Sequence, residues 1–158
     1  MSSHELGILG EARFEKLDRT IVVRKHPGVS RGLVTGDVDG DGDLDLLVTN
    51  TAGPARLFRN DAAKTGRWLL VRTSSDLAER DAHSALVTVS VGGRSITRLA
   101  QPGGSYLSSG DPRAHFGLPA EGVLEALTVT WPDGKAESFS VDGLNRVLVV
   151  RKGEGMSQ

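Results

Sequence analysis

The chain has 158 residues, of which 38% are hydrophobic, and its formal net charge at pH 7 is −1. This length is enough to bury a core, as one domain or as two small ones. The near-zero charge and the few scattered aromatic residues exclude the basic field and the stacking platform of a nucleic-acid-binding protein. The chain contains no cysteine, which excludes a disulfide framework, a Cys-ligated zinc site and a thiol nucleophile.

The N-terminal stretch MSSHELGILGEARFEKL lacks the positively charged region and apolar run of a signal peptide. No window of the sequence reaches the ~20 apolar residues that a membrane-spanning helix needs. We therefore expect a soluble chain without membrane insertion. Two origins stay open at this point: a cytosolic protein, or a piece of a longer secreted protein.

Short apolar runs bounded by turn residues recur along the chain, whereas helical periodicity is nearly absent apart from a short segment at 75–79. This spacing predicts an all-β fold. The predicted strands, in chain order, are 20–23, 31–34, 46–48, 55–58, 68–71, 85–91, 95–99, 123–131, 137–139 and 146–150.

The connection between the second and third of these strands, within GDVDGDGDLDLLVTN, has the highest concentration of carboxylate side chains in the sequence. Its aspartates occupy alternate positions around Gly42, where the backbone must turn: Asp37, Asp39, Asp41, Asp43 and Asp45. Oxygen ligands in this pattern are typical of a Ca²⁺ loop. Without a cation, carboxylates held ~4 Å apart near a surface would repel by roughly 4 kcal/mol per pair. The sequence therefore predicts a calcium site.

The flanks of the loop distinguish it from an EF-hand. An EF-hand needs flanking helices and a bidentate Glu at its twelfth place, but that place is Val48 and the run after Asp45 is a predicted strand. We predict that Asp37, Asp39, Asp41 and Asp45 bind through carboxylates and that Asp43 binds through its carbonyl, with water completing the shell. The alternative is a solvated turn, since Asp and Gly favour turns for backbone reasons alone.

Two hairpins and one boundary organise the rest of the chain. Gly92-Gly93 predicts a two-residue hairpin turn, and Pro132-Asp133-Gly134 predicts a second turn. The polar stretch 60–66 separates two strand-rich segments, so we predict domains at 12–62 and 67–152. The first segment has too few strands to bury its own apolar faces. It must pack on the second segment, on another copy, or on repeats outside this chain.

The first segment, GLVTGDVDGDGDLDLLVTNTAGPARLFRND, resembles an FG-GAP or VCBS-type repeat, the blade unit of integrin-α-type propellers. The second segment resembles the UnbV/ASPIC domain of cartilage-acidic-protein-like secreted proteins. Its most specific pieces are Tyr106-Leu107-Ser108-Ser109, His115-Phe116-Gly117-Leu118 and Trp131-Pro132-Asp133-Gly134. The fold expected is one propeller-blade-like calcium repeat packed with a β-sandwich or barrel-like C-terminal domain.

The resemblance implies a calcium-binding extracellular module that is not an enzyme. Abundant extracellular or periplasmic Ca²⁺ would fill an open loop of this kind, which favours a fragment of a secreted protein. We expect a protein or glycan partner, and further repeats or a homo-oligomer as neighbours. The alternative is an accessory domain of a secreted enzyme, or a weak calcium-dependent hydrolase.

Other polar residues give weaker signals. Ser108, Ser109, Asp111 and His115 lie close in sequence, but triads are assembled from distant residues and no GxSxG motif is present. We predict that His115 hydrogen-bonds a loop carbonyl while Tyr106 and Phe116 pack beneath it. Trp131, at the end of an apolar strand, is predicted to belong to the core.

Overall fold

The computed structural model describes residues 28–75 and 80–157 together with the backbone of two N-terminal strands, β1 (Leu6–Leu9) and β2 (Arg13–Lys16). Every regular element in these residues is a strand, which confirms the all-β prediction. β1 and β2 form an antiparallel hairpin that was not predicted. The predicted strand at 20–23 and most of the helical segment at 75–79 lie outside the described residues.

Three strands form a small antiparallel sheet: β3 (Ser30–Gly36), β4 (Asp45–Asn50) and β5 (Arg56–Phe58), in the order β3-β4-β5. β4 pairs with both neighbours, so Leu47 lies opposite Val34 on one side and Leu57 on the other. Of the apolar side chains, Val48 is buried, whereas Leu33, Leu47 and Leu57 are exposed. A three-stranded sheet with so little burial depends on packing against other elements.

The remainder of the described chain folds into two larger sheets and a small hairpin. One sheet has the order β11-β6-β14 and the other β15-β13-β12-β7-β8. Their strands are β6 (Gly66–Ser74), β7 (Ala85–Val91), β8 (Arg94–Ala100), β11 (Ala114–Pro119), β12 (Leu124–Thr130), β13 (Ala136–Phe139), β14 (Arg146–Arg151) and β15 (Met156–Ser157). The hairpin joins β9 (Gly103–Ser105) and β10 (Ser108–Ser109).

Alternating burial on the strands builds one apolar core between these two sheets. In β7 every second residue from Ala85 to Val91 is buried, as expected for a strand with one face toward the core. Leu69 and Val71 of β6 meet this face, and Phe116 of β11 is fully buried in the same cluster. Trp131 is also buried there, as predicted. The two sheets stack as a sandwich, and neither closes into a barrel.

Both predicted turns, at Gly92-Gly93 and at Pro132–Gly134, are present at the predicted residues. Gly92 and Gly93 both have positive φ, +56° and +72°, and join β7 to β8, which a two-residue hairpin with right-handed strand twist requires. The Pro132–Gly134 turn joins β12 to β13, with Gly134 donating to the Trp131 carbonyl. Both turns are local, which is why the sequence predicts them.

The small sheet packs on the sandwich half along β3. Gly32 lies against Ser108, and a side chain there would meet the serine Oγ at 2.5 Å. Gly110 contacts Val34 and the Thr35 carbonyl in the same region. The predicted packing of the repeat with the second segment is therefore observed. It places residues 37–45, called the metal loop below for the ion they are predicted to hold, beside β6 and β11.

Candidate metal centre

The loop 37–45 connects β3 to β4, and the pairing of Gly36 with Asp45 closes its base. Gly40 and Gly42 have φ of +77° and +92°, values that side-chain-bearing L-residues rarely adopt. The two glycines therefore allow a chain of alternating aspartates to curl back on itself instead of extending as a strand.

Two carboxylates organise the loop from within. Asp37 Oδ1 accepts hydrogen bonds from the Gly40 and Asp41 amides at 2.8 and 3.0 Å, and its Oδ2 accepts from Gly42 at 3.0 Å. Asp45, only 2% exposed, accepts from Val38 through Oδ2 and from Asn60 through Oδ1. A carboxylate oxygen has two lone pairs. Asp37 Oδ1 uses both, whereas Asp37 Oδ2 and the two oxygens of Asp45 each keep one for a ligand.

The structure brings three of the five predicted residues together. Carboxylate oxygens of Asp37, Asp39 and Asp45 all lie within 4.8 Å of one another, an arrangement that could hold a metal ion. Asp41 and Asp43 are outside this group. The Asp41 carboxylate pairs with Lys64 at 3.2 Å and accepts from the Asp43 amide at 2.9 Å. The ligand roles of the five aspartates stay predictions.

The electrostatics of the loop favour a cation. The hydrogen bond from the Asp43 amide and the nearby Lys64 hold the pKa of Asp41 below its usual value, against the opposing effect of burial. Two carboxylates at 4.8 Å would repel by about 3 kcal/mol at an effective dielectric near 20. Arg59 offers little relief to Asp39, because its Nε is 3.9 Å from Asp39 and only 2.7 Å from Asp61.

The spacing of the three carboxylates fits calcium. Ca²⁺–oxygen distances of ~2.3–2.6 Å place two ligands of one ion at most about 5 Å apart. The 4.8 Å limit on the observed oxygens satisfies this condition without rearrangement. An all-oxygen donor set also suits a hard cation, in contrast to the nitrogen and sulfur ligands that zinc sites use.

The sandwich half reaches the loop at its central turn. His115 Nε2 is 2.7 Å from the carbonyl oxygen of Gly42, and because a carbonyl only accepts, the histidine donates. The Trp68 indole lies so close to Gly42 that a side chain at position 42 would meet the indole Nε1 at 2.1 Å.

The predicted hydrogen bond from His115 to a loop carbonyl is confirmed, and Phe116 is buried as expected. The prediction for Tyr106 was wrong: it is 67% exposed, at the tip of the β9–β10 hairpin.

The side chains that resemble a hydrolase constellation are engaged with other groups. Asp111 forms an ion pair with Arg113, Ser108 Oγ donates to the Tyr106 carbonyl, and His115 binds the metal loop. These contacts do not form the nucleophile–base–acid chain of a triad.

The Asp111–Arg113 pair gives a pH-dependent prediction. Burial alone would raise the pKa of Asp111, but the hydrogen bonds from Arg113 lower it overall. Arg113→Met should therefore destabilise the fold by roughly 1–2 kcal/mol at neutral pH. Because the folded pKa is depressed, this cost should be present above the ordinary value of 3.8 and disappear as the pH falls through the folded pKa. Urea unfolding of both proteins in chelator, across decreasing pH, measures it, and a cost independent of pH would contradict the ion-pair explanation.

Residues 75–157 match the family described as ASPIC and UnbV, and residues 31–67 match the FG-GAP repeat. The chain belongs to the ASPIC and UnbV family and carries an FG-GAP repeat before that domain. This confirms the family resemblance read from the sequence.

Proteins named cartilage acidic protein 1 are similar to most of the chain. The mouse (Mus musculus) and human (Homo sapiens) proteins are 37% and 36% identical over 148 residues, 89% of this chain and 22% of each relative. The Xenopus tropicalis protein is 38% identical over 115 residues, 70% of this chain and 17% of the relative. The chain thus spans about a fifth of the length of these relatives. Within the described residues, no helix has the length and apolar character needed to cross a membrane.

Proposed function

We propose that the loop 37–45 binds one Ca²⁺ and that the chain acts as a non-enzymatic, calcium-stabilised module of an extracellular protein, with a protein or glycan as its partner. The observation that carries this proposal is the group of three carboxylates within 4.8 Å of one another. The group lies at the junction of the two halves, so an ion bound there would stiffen the contact between them.

In the proposed shell, Asp37, Asp39 and Asp45 bind through the carboxylates that already face one another. Asp41 would join by turning its carboxylate from Lys64. That ion pair is a surface pair, with side chains 47% and 35% exposed, and such pairs contribute about 1 kcal/mol or less. Asp43 would contribute its carbonyl. Breaking the Lys64 contact is a small cost beside the charge neutralisation that a divalent cation brings.

One consequence of the proposed shell and one finding from the relatives support a binding role over an enzymatic one. Four carboxylates and a carbonyl would consume most of the coordination sphere of the ion, whereas catalytic metal sites keep a position open for substrate. The relatives are named for cartilage, which supports the extracellular placement of this module, where Ca²⁺ is abundant enough to load a weak site.

Calorimetric titration of the purified chain with CaCl₂ tests the proposal. Wild type should bind one Ca²⁺ per chain, and Asp37→Ala or Asp41→Ala should abolish the binding heat. Asp43→Asn is the matched comparison, because a backbone carbonyl is proposed to bind at that position and the carbonyl survives the substitution. It should weaken affinity only a few-fold. No binding in wild type would overturn the proposal, and an Asp43→Asn variant as defective as Asp37→Ala would overturn the assignment of the carbonyl.

A further inference from the structure

The metal loop is held from outside by residues of the sandwich, β6 to β15, which is called the ASPIC and UnbV half below although its first strand, β6, precedes the matched residues 75–157. His115 donates to the Gly42 carbonyl at 2.7 Å, and the Trp68 indole lies against Gly42 so closely that no side chain fits between them. Gly42 stands between Asp41 and Asp43, whose carboxylate and carbonyl are proposed ligands. The two contacts therefore fix the part of the loop that delivers those two oxygens.

Both supporting residues sit on rigid strands. His115 lies on β11 between Ala114 and Phe116, which are 2% and 0% exposed. The backbone of Trp68 is held at the start of β6 by Asn145: the Trp68 amide donates to Asn145 Oδ1 at 3.0 Å, and the Asn145 amide donates to the Trp68 carbonyl at 2.7 Å. The loop turn thus rests on a platform whose own supporting contacts lie within the sandwich.

A loop without this platform must order its backbone when the ion binds. Fixing backbone torsions costs conformational free energy, and this cost would oppose binding. Side chains that orient metal ligands typically change metal affinity ~10–100-fold when they are removed. His115 and Trp68 occupy this orienting position, although neither belongs to the carboxylate group.

We propose that Trp68 and His115 are positioning residues that set the calcium affinity of the loop, so that ion binding and docking of the repeat on the ASPIC and UnbV half form one linked equilibrium. The inference rests on the proposed calcium site. By linkage, a contact that strengthens ion binding is strengthened by the ion to the same extent. Calcium would then control how firmly the two halves hold together.

Calorimetry on the full chain tests the role of His115. His115→Leu removes the donor and should weaken Ca²⁺ binding ~10–100-fold, whereas His115→Gln retains an N–H donor and should stay within a few-fold of wild type. The control is His83→Leu: His83 is exposed in the turn between Asp81 and β7, near the far end of β6 from Trp68, and should bind as wild type does. If His115→Leu does not fold in chelator, the shorter His115→Asn, which cannot reach the Gly42 carbonyl, decides the same question.

Tryptophan fluorescence gives a second readout that a merely structural role would not move. Of the two tryptophans, Trp131 is buried in the core and Trp68 lies against the loop. Calcium should change the emission of wild type, and Trp68→Phe should lose this change while the Trp131 emission remains.

The outcomes separate the two proposals. A wild type that binds no Ca²⁺ overturns the calcium site and this inference with it. A wild type that binds, together with a His115→Leu variant of equal affinity or a calcium-insensitive Trp68 emission, overturns the positioning role alone.

Discussion

In excess Ca²⁺ the chain should unfold at a midpoint roughly 10 °C above its midpoint in chelator, and Mg²⁺ should raise it far less. An ion that binds only the native state at a thousandfold excess over its Kd adds ~4 kcal/mol of stability. In a chain of this size each kcal/mol moves the Tm by about 2–4 °C. Mg²⁺ demands near-octahedral geometry and gives up its water reluctantly, so a loop that supplies most of the ligands from protein oxygens serves it poorly. Thermal unfolding followed by circular dichroism measures the effect.

Asp45→Asn is the sharpest variant for this measurement. Asp45 is the most buried of the three clustered carboxylates, and asparagine keeps an acceptor oxygen while it removes the charge. The variant should lose most of the calcium increment. Its midpoint in chelator should also fall, because the asparagine NH2 group replaces one of the two oxygens that accept the Val38 and Asn60 amides, and the reduced repulsion among carboxylates offsets only part of that loss. Asp133→Asn is the matched control: Asp133 is 40% exposed and pairs with Lys152 in the turn between β12 and β13. Equal wild-type midpoints in Ca²⁺ and in chelator would contradict the calcium site.

The parts of the molecule that the sequence predicts are the parts with local causes. The loop can be predicted because alternate aspartates around glycines have few structural uses other than holding a cation. The strands β7 and β12 and the turns at Gly92-Gly93 and Pro132–Gly134 follow from alternation and turn chemistry within a dozen residues. Trp131 is recognisable as core because it ends an apolar strand.

Other elements have causes that lie far away in sequence. β11 is a strand although its sequence, AHFGLP, contains glycine and ends in proline, because its backbone completes the edge of a sheet beside β6. β14 pairs with β6 in parallel, and no turn motif in the sequence predicts this pairing. Tyr106, which the sequence predicts to pack beneath His115, instead occupies a two-residue hairpin tip beside Leu107, whose φ is +48°. Tertiary pairing overrides local propensity at each of these places.

The same distinction divides the candidate site. Its five aspartates lie at alternate positions of one short segment, so the sequence places them on one loop. Their surroundings come from elsewhere. Lys64 pairs with Asp41, and Arg113 lies near Asp37: the hydrogen bond to Asp111 raises the pKa of Arg113 most, and the charge of Asp37 raises it further. His115 reaches Gly42 across 73 positions of sequence. The sequence predicts that His115 binds some carbonyl, but only the fold shows that this carbonyl belongs to the metal loop.

Gly42→Ala should uncouple the loop from the ASPIC and UnbV half. The new Cβ would lie 2.1 Å from Trp68 Nε1, well inside any tolerated contact, so the loop turn must move away from the indole and from His115. The positive φ of +92° adds a backbone penalty of about 1–3 kcal/mol. We expect this variant to lose most of its calcium-dependent rise in Tm and to unfold at a lower temperature in chelator.

The control is Gly40→Ala, at a φ of +77° with nothing within 4 Å of its Cβ, because it carries a similar backbone penalty without the clash. The gap between the two variants, in thermal midpoint and in calcium affinity, measures what the contact with Trp68 contributes, and equal losses in both would show that the contact contributes nothing beyond the backbone strain.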